Sequence, residues 1–66
     1  MTSLEIINIA RGHIGKGSMV SSAQLCLDDA VALYNEGKEG DAIIRARKSI
    51  AYSVGILHPD YQRTIS

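Results

Sequence analysis

The side chains able to do chemistry in this chain are few and scattered: His13, Cys26 and His58, the acid pairs Asp28-Asp29 and Glu39/Asp41, and the cations Arg45, Arg47 and Lys48. A structural zinc site takes about four ligands, and Cys26, His13 and His58 are too few and too badly spaced to supply one. Cys26 has no base nearby to activate it. It falls on an apolar helical stripe, where cysteine behaves as a small hydrophobe. Neighbouring acids on a helix point about 100° apart, so Asp28 and Asp29 do not share a proton as a catalytic dyad does. His58-Pro59-Asp60-Tyr61 is chemically dense but stands at a helix end with no supporting group in view, and a histidine in a last helical turn is explained by the helix dipole. His13 sits inside an apolar face and reads as a packed side chain. No Ser/His/Asp arrangement emerges. The expectation is a chain that is not an enzyme, with no cofactor and no metal.

Two patterns come nearer to a binding function. Residues 12–18, Gly-His-Ile-Gly-Lys-Gly-Ser, invite comparison with a phosphate-binding loop, but Gly17 separates Lys16 from Ser18 and no parallel sheet fits in so short a chain. The loop is a flexible bend. Arg45, Lys48 and Tyr52 recur at i, i+3 and i+7 on one helical face. Arg47 lies across the Ile44/Ala51 strip from them. Arg and Lys grip phosphates and a tyrosine ring stacks on a base, so Arg45, Arg47 and Lys48 form the alternative, a weak nucleic-acid surface. The chain's net charge is zero, which gives it no global field to recruit a polyanion.

These groups must be carried by helices. Thr2 and Glu5 have capping-box spacing, Met1 is placed to staple onto Ile6, and Ile6, Ile7, Ile9, Ala10 and Ile14 share a face opposite Glu5, Asn8 and Gly12. A first helix is therefore expected over 3–13. A second is expected over 20–36, capped by Ser18 or Ser21, the latter with Gln24 at capping-box spacing. Its apolar face runs through Val20, Ala23, Cys26, Leu27, Ala30, Val31, Leu33 and Tyr34. Leu25 and Ala32 fall on its polar side, which marks Leu25 as a partner contact. Gly37 occupies the place of a left-handed C-cap. A third helix is expected over 41–57, with Asp41 as cap or first-turn acid and Pro59 ending it. Its main face holds Ala42, Ile43, Ala46, Ser49, Ile50, Ser53, Val54 and Leu57, and a second strip comprises Ile44, Ala51 and Gly55. Two strips make it the central element. Residues 59–66 read as a flexible tail.

The 66 residues make one domain, 1–58, with a modest core lacking Phe and Trp. Chains of this size usually lean on disulfides, a metal or a partner chain, and a single cysteine forbids an internal disulfide. Residues 28–41 carry five acids against Lys38, whereas residues 42–55 carry three cations and no acid. Such faces attract each other across a hairpin. No apolar run approaches the roughly 20 residues of a membrane span, no signal peptide is seen, and a lone cysteine fits a reducing compartment. Cytoplasmic location is expected.

The run Ala30-Val31-Ala32-Leu33-Tyr34-Asn35-Glu36-Gly37, followed by Asp41-Ala42-Ile43 and Ala46, resembles part of a tetratricopeptide repeat, with Tyr34, Gly37 and Ala42 at the repeat's spacing. About a third of the chain is covered. The repeat's Trp and Leu-Gly pair are missing, so the resemblance implies a helical hairpin and no peptide groove. The whole chain also resembles the short early-region proteins of lambdoid bacteriophages, on Leu4-Glu5-Ile6, Ala10-Arg11, Lys48-Ser49-Ile50-Ala51-Tyr52-Ser53-Val54-Gly55 and His58-Pro59-Asp60-Tyr61. That resemblance implies an accessory protein adjusting host physiology or phage development by contacting a host factor in the host cytoplasm. The sequence as a whole reads as an all-α protein: a short helix plus an antiparallel hairpin, dimerising into a helix bundle. The expected function is a non-catalytic protein-interaction module that contacts its partner through Leu25, Arg45, Lys48 and Tyr52.

Overall fold

The computed structural model describes residues 1–65. It is all-α, with α1 at Ser3–His13, α2 at Val20–Asn35, α3 at Glu39–Val54 and a short α4 at Pro59–Gln62. The Thr2/Glu5 capping box is formed. The Thr2 hydroxyl accepts from the Glu5 N–H, and the Glu5 carboxylate accepts from the Thr2 N–H at 3.0 Å. Two of the orphan donors at the start of α1 are thereby satisfied. A second carboxylate arrives from far along the chain. Glu39, in the first turn of α3, accepts from the Ser3 N–H at 2.7 Å and the Ser3 hydroxyl at 2.6 Å. The start of α1 is tied to the turn of the hairpin.

That turn follows its sequence signals. Gly37 takes φ +78°; its N–H donates to the Tyr34 carbonyl and the Lys38 N–H to the Leu33 carbonyl, the bond pair of a Schellman motif. α2 starts differently from expectation. Its N-cap is Met19, with no side-chain cap, so neither Ser18 nor Ser21 caps it. Gln24, freed from the expected capping box, donates to Asp28. α3 begins two residues before Asp41, which is a first-turn acid behind the N-cap Lys38.

α3 packs against α1, α2 and α4 and is the central element, as expected, although Ile44 of its second strip is exposed. Ile6, Ile7 and Ala10 from α1, Leu27 and Ala30 from α2, and Ala46 and Ile50 from α3 make one buried cluster. The small side chains Ala23, Ala42, Ala46 and Ser49 are fully buried; small residues at a helix contact let the backbones approach closely. One polar bond crosses this seam, from the Ser49 hydroxyl to the Ala23 carbonyl at 2.8 Å. One turn on, the equally sheltered Ser53 hydroxyl has no partner among the described residues. The two serines should therefore respond oppositely to alanine. Ser49→Ala loses a buried bond and costs about 1 kcal/mol, whereas Ser53→Ala removes an unsatisfied group and stabilises by up to about 1 kcal/mol. Urea midpoints of the two variants check the contrast.

The C-terminal third corrects two expectations. α3 ends at Val54, not Leu57, because Gly55 turns the chain out of the helix at φ +92°. Leu57 is consequently 86 % exposed and contributes nothing to the core. Residues 59–65 are not a loose tail. His58 caps α4 with Pro59 at its first position, Tyr61 packs on the core, and Thr64 is buried. Arg47 donates from Nε and Nη2 to the Thr64 carbonyl. Ser66, the last residue of the expected tail, lies outside the described residues.

The carboxylates at α1 set an acid limit. Hydrogen bonds from the Ser3 side chain and backbone hold Glu39 below the ordinary 4.5, and the Thr2 backbone and side chain do the same for Glu5. A depressed carboxyl pKa contributes stability that is complete above the unfolded value and fades as pH falls through the folded one. The melting temperature should thus be level from neutrality to about pH 5 and drop below 4.5. Glu39→Ala should lower the plateau and shallow the acid limb in thermal melts.

Candidate functional site

Two groupings stand out once the helices are in place. The first is the outer face of the hairpin. The Cα atoms fill a slab of 30 × 26 × 14 Å, and a 14 Å thickness holds about two layers of helix axes spaced 8–10 Å. α1 packs on both α2 and α3, and it shares the core cluster with Leu27 of α2 and Ile50 of α3, against which Val31, Ile43 and Val54 also pack. Arg45, Lys48 and Tyr52 share a strip of α3 with Asp41 and Ile44. An open groove of about 330 Å³ is lined there by Leu33, Asp41, Ile44, Arg45 and Lys48. Ile44 is 52 % exposed and Tyr52 39 %. On α2, Leu25 is 63 % exposed, and at 100° per residue it falls on one strip with Asp29 and Glu36. Four of the expected contact residues, Leu25, Arg45, Lys48 and Tyr52, are therefore all at the surface.

Arg45 and Lys48 make no ion pair with any described residue. The expected attraction between the acidic and basic halves of the hairpin does not take the form of direct pairs. Arg47 parts company with them. It is half-buried on the α4 side of α3, with its guanidinium committed to the Thr64 carbonyl. The expected trio Arg45, Arg47 and Lys48 is split two to one.

The second grouping was not legible as a unit. His13 closes α1 and is buried; His58 caps α4; Asp60 lies in the first turn of α4. The fold brings these 47 residues of separation down to 2.6 Å, between His13 Nε2 and Asp60 Oδ2. A carboxylate cannot donate, so His13 Nε2 carries the proton, and His13 Nδ1 accepts from the Lys16 ammonium at 2.9 Å. His58 Nδ1 accepts the Asp60 N–H at 3.0 Å, and the two imidazoles meet edge to face with centroids 5.2 Å apart. Arg63 Nε stands 3.3 Å from the other Asp60 oxygen. The bond from His13 is the main cause of an Asp60 carboxyl below its ordinary range, with the Arg63 charge assisting.

No family model, no curated protein and no solved structure matches this chain. Cys26 is buried and unpaired, as its place on the apolar stripe implies. Among the described residues no helix is long and apolar enough to cross a membrane. His13 was readable as a packed histidine, and it is one. Its partner was not readable, because nothing local in 58–61 announces which helix end will lie beside it.

Proposed function

We propose that the chain is a non-catalytic interaction module that pairs with a second copy of itself through the outer face of the α2–α3 hairpin. The observation that carries this reading is the combination of exposed apolar side chains, Leu25 on α2 and Ile44 on α3, with the cations Arg45 and Lys48, which make no ion pair with any described residue. A two-fold axis brings the same patch to itself, so that α2 of one copy faces α3 of the other. The acidic strip of α2, Asp29 and Glu36, then meets the basic strip of α3, and Leu25 meets Ile44. Acids on the α2 strip and the cations Arg45 and Lys48 on α3 are suited to that exchange. Removing Leu25, Ile44 and the rim of Tyr52 from water adds apolar burial at roughly 25 cal/mol per Å² to a small core.

The resemblance to lambdoid phage early-region proteins extends the proposal: the dimer acts in the host cytoplasm as an accessory protein, contacting a host factor with surface left outside the pair. A nucleic-acid role has less support, since Arg47 is engaged with Thr64 and two cations per chain remain on the face. Titration of duplex DNA at low and moderate salt separates the two readings, because phosphate binding decays steeply with salt. The expected result is no binding at either salt.

The direct test is Ile44→Glu. Ile44 is outside the core, so the variant should keep its circular dichroism while each new carboxylate is set against Leu25 and the acidic α2 strip of the other copy. A folded monomer is the expected product; an unchanged dimer would refute this face.

A further inference from the structure

His13, His58 and Asp60 come from two separate parts of the chain, the end of α1 and the junction before α4. One ligand atom from each lies within 4.8 Å of the other two. Two imidazole nitrogens and one carboxylate oxygen are the donor set preferred by borderline divalent cations. With metal–ligand distances of 2.0–2.2 Å, ligand atoms around a tetrahedral cation stand about 3.3 Å apart. His13 Nε2 and Asp60 Oδ2 are closer than that, at 2.6 Å, and the three ligand atoms together lie within 4.8 Å of one another. Side-chain rotation is needed to open the 2.6 Å pair to that spacing. The burial of His13 and the half-burial of His58 and Asp60 give the group a wall on one side and solvent access on the other.

We propose that His13, His58 and Asp60 form a binding site for one divalent transition cation of the zinc class, with a fourth position open to water. The cation takes the place of the proton between His13 Nε2 and Asp60 Oδ2. That nitrogen must be bare to ligate, so its proton moves to Nδ1, and Lys16, whose residue is exposed, turns into solvent. Arg63 stays beside the other Asp60 oxygen. The bound cation joins the end of α1 to the segment that follows α3, chain positions already in contact through the His13–Asp60 bond and the His13–His58 ring contact. It thereby reinforces contacts already present there, in the manner of the staples that small domains use in place of a large core. The site lies on the α1/α4 end, away from Leu25, Ile44, Arg45 and Lys48, and its existence does not depend on pairing through the hairpin face.

Titration of the untagged chain with zinc chloride at neutral pH, followed by calorimetry and by the ring proton resonances of both histidines, tests the site. The expected result is one cation per chain at micromolar affinity, resonances of His13 and His58 moving together, and a melting temperature that rises with added zinc. His58→Ala and Asp60→Asn should each weaken binding by at least about tenfold, and Cys26→Ser should leave it unchanged. The wild-type resonances decide the matter even where a variant loses its fold. Movement of His58 without His13, affinity unaltered in both variants, or loss of binding in Cys26→Ser overturns the proposal.

Discussion

Ile50→Asp should abolish the helical circular dichroism of the chain at room temperature. Ile50 is wholly enclosed, among Ile6, Ile7, Ala10, Leu27, Ala30 and Ala46, at the point where α1 and α2 both meet α3. Truncating such a side chain to alanine already costs about 2–5 kcal/mol. A domain of this size has roughly 3–5 kcal/mol in all. An aspartate adds the burial of a carboxyl with no donor prepared for it, several kcal/mol more. The sum exceeds the stability available, with or without a second copy. Ile50→Val, which keeps the branch and loses one methylene, should remain folded at a cost of about 0.5–1.5 kcal/mol. A cooperative melt from the aspartate variant would mean that α3 turns another face to the core.

Gly17→Ala should be the most damaging glycine substitution. Gly17 lies in the α1–α2 loop at φ +75°, and a Cβ there would stand 2.8 Å from the Ser53 carbonyl oxygen in the last turn of α3. Two penalties combine. An alanine in left-handed geometry costs about 1–2 kcal/mol, and contact with a backbone carbonyl in a packed helix is not relieved by swinging a side chain aside. Gly37 isolates the first penalty, because it has φ +78° with open space at the Cβ position. Gly37→Ala should cost about 1 kcal/mol and Gly17→Ala about 2–4 kcal/mol, read as the separation of their urea midpoints. Gly17 follows His13 by four residues, and Ser53 precedes His58 by five. The close approach pins together the two stretches that carry the histidine–aspartate group, so Gly17→Ala should also uncouple the His13 and His58 ring resonances.

Where the signals were local, the sequence was readable. Thr2, Glu5 and the isoleucine period mark α1 from 3 to 13, and Gly37 marks the end of α2, because a cap and a helical face each lie within a few residues. The end of α3 is not legible because Gly55 also fits the helical period, and a glycine inside a periodic segment does not by itself declare a stop. The same period places Leu57 on the core face, where the fold does not put it. The segment after it held a readable start signal, His58 as cap, Pro59 at the first position and Asp60 in the first turn. Its brevity and polar composition masked this, and the anchors Tyr61 and Thr64 are single residues without a period. The contacts Ser3–Glu39, Arg47–Thr64 and His13–Asp60 depend on which helix ends the topology brings together. No spacing rule encodes them.

The hairpin face is the part of the molecule where sequence and fold agree on residues and leave their use to be measured. Leu25 was marked by standing on the polar side of α2, and Arg45, Lys48 and Tyr52 by sharing a face of α3; all four are at the surface in the folded chain. Sedimentation equilibrium of the wild-type chain beside Ile44→Glu, at micromolar concentration, tests their role most directly. The expected result is a wild-type species of twice the 7.1 kDa chain mass and an Ile44→Glu species of one chain mass with the same helix content. A wild-type chain that sediments as a single 7.1 kDa species and melts cooperatively would contradict it.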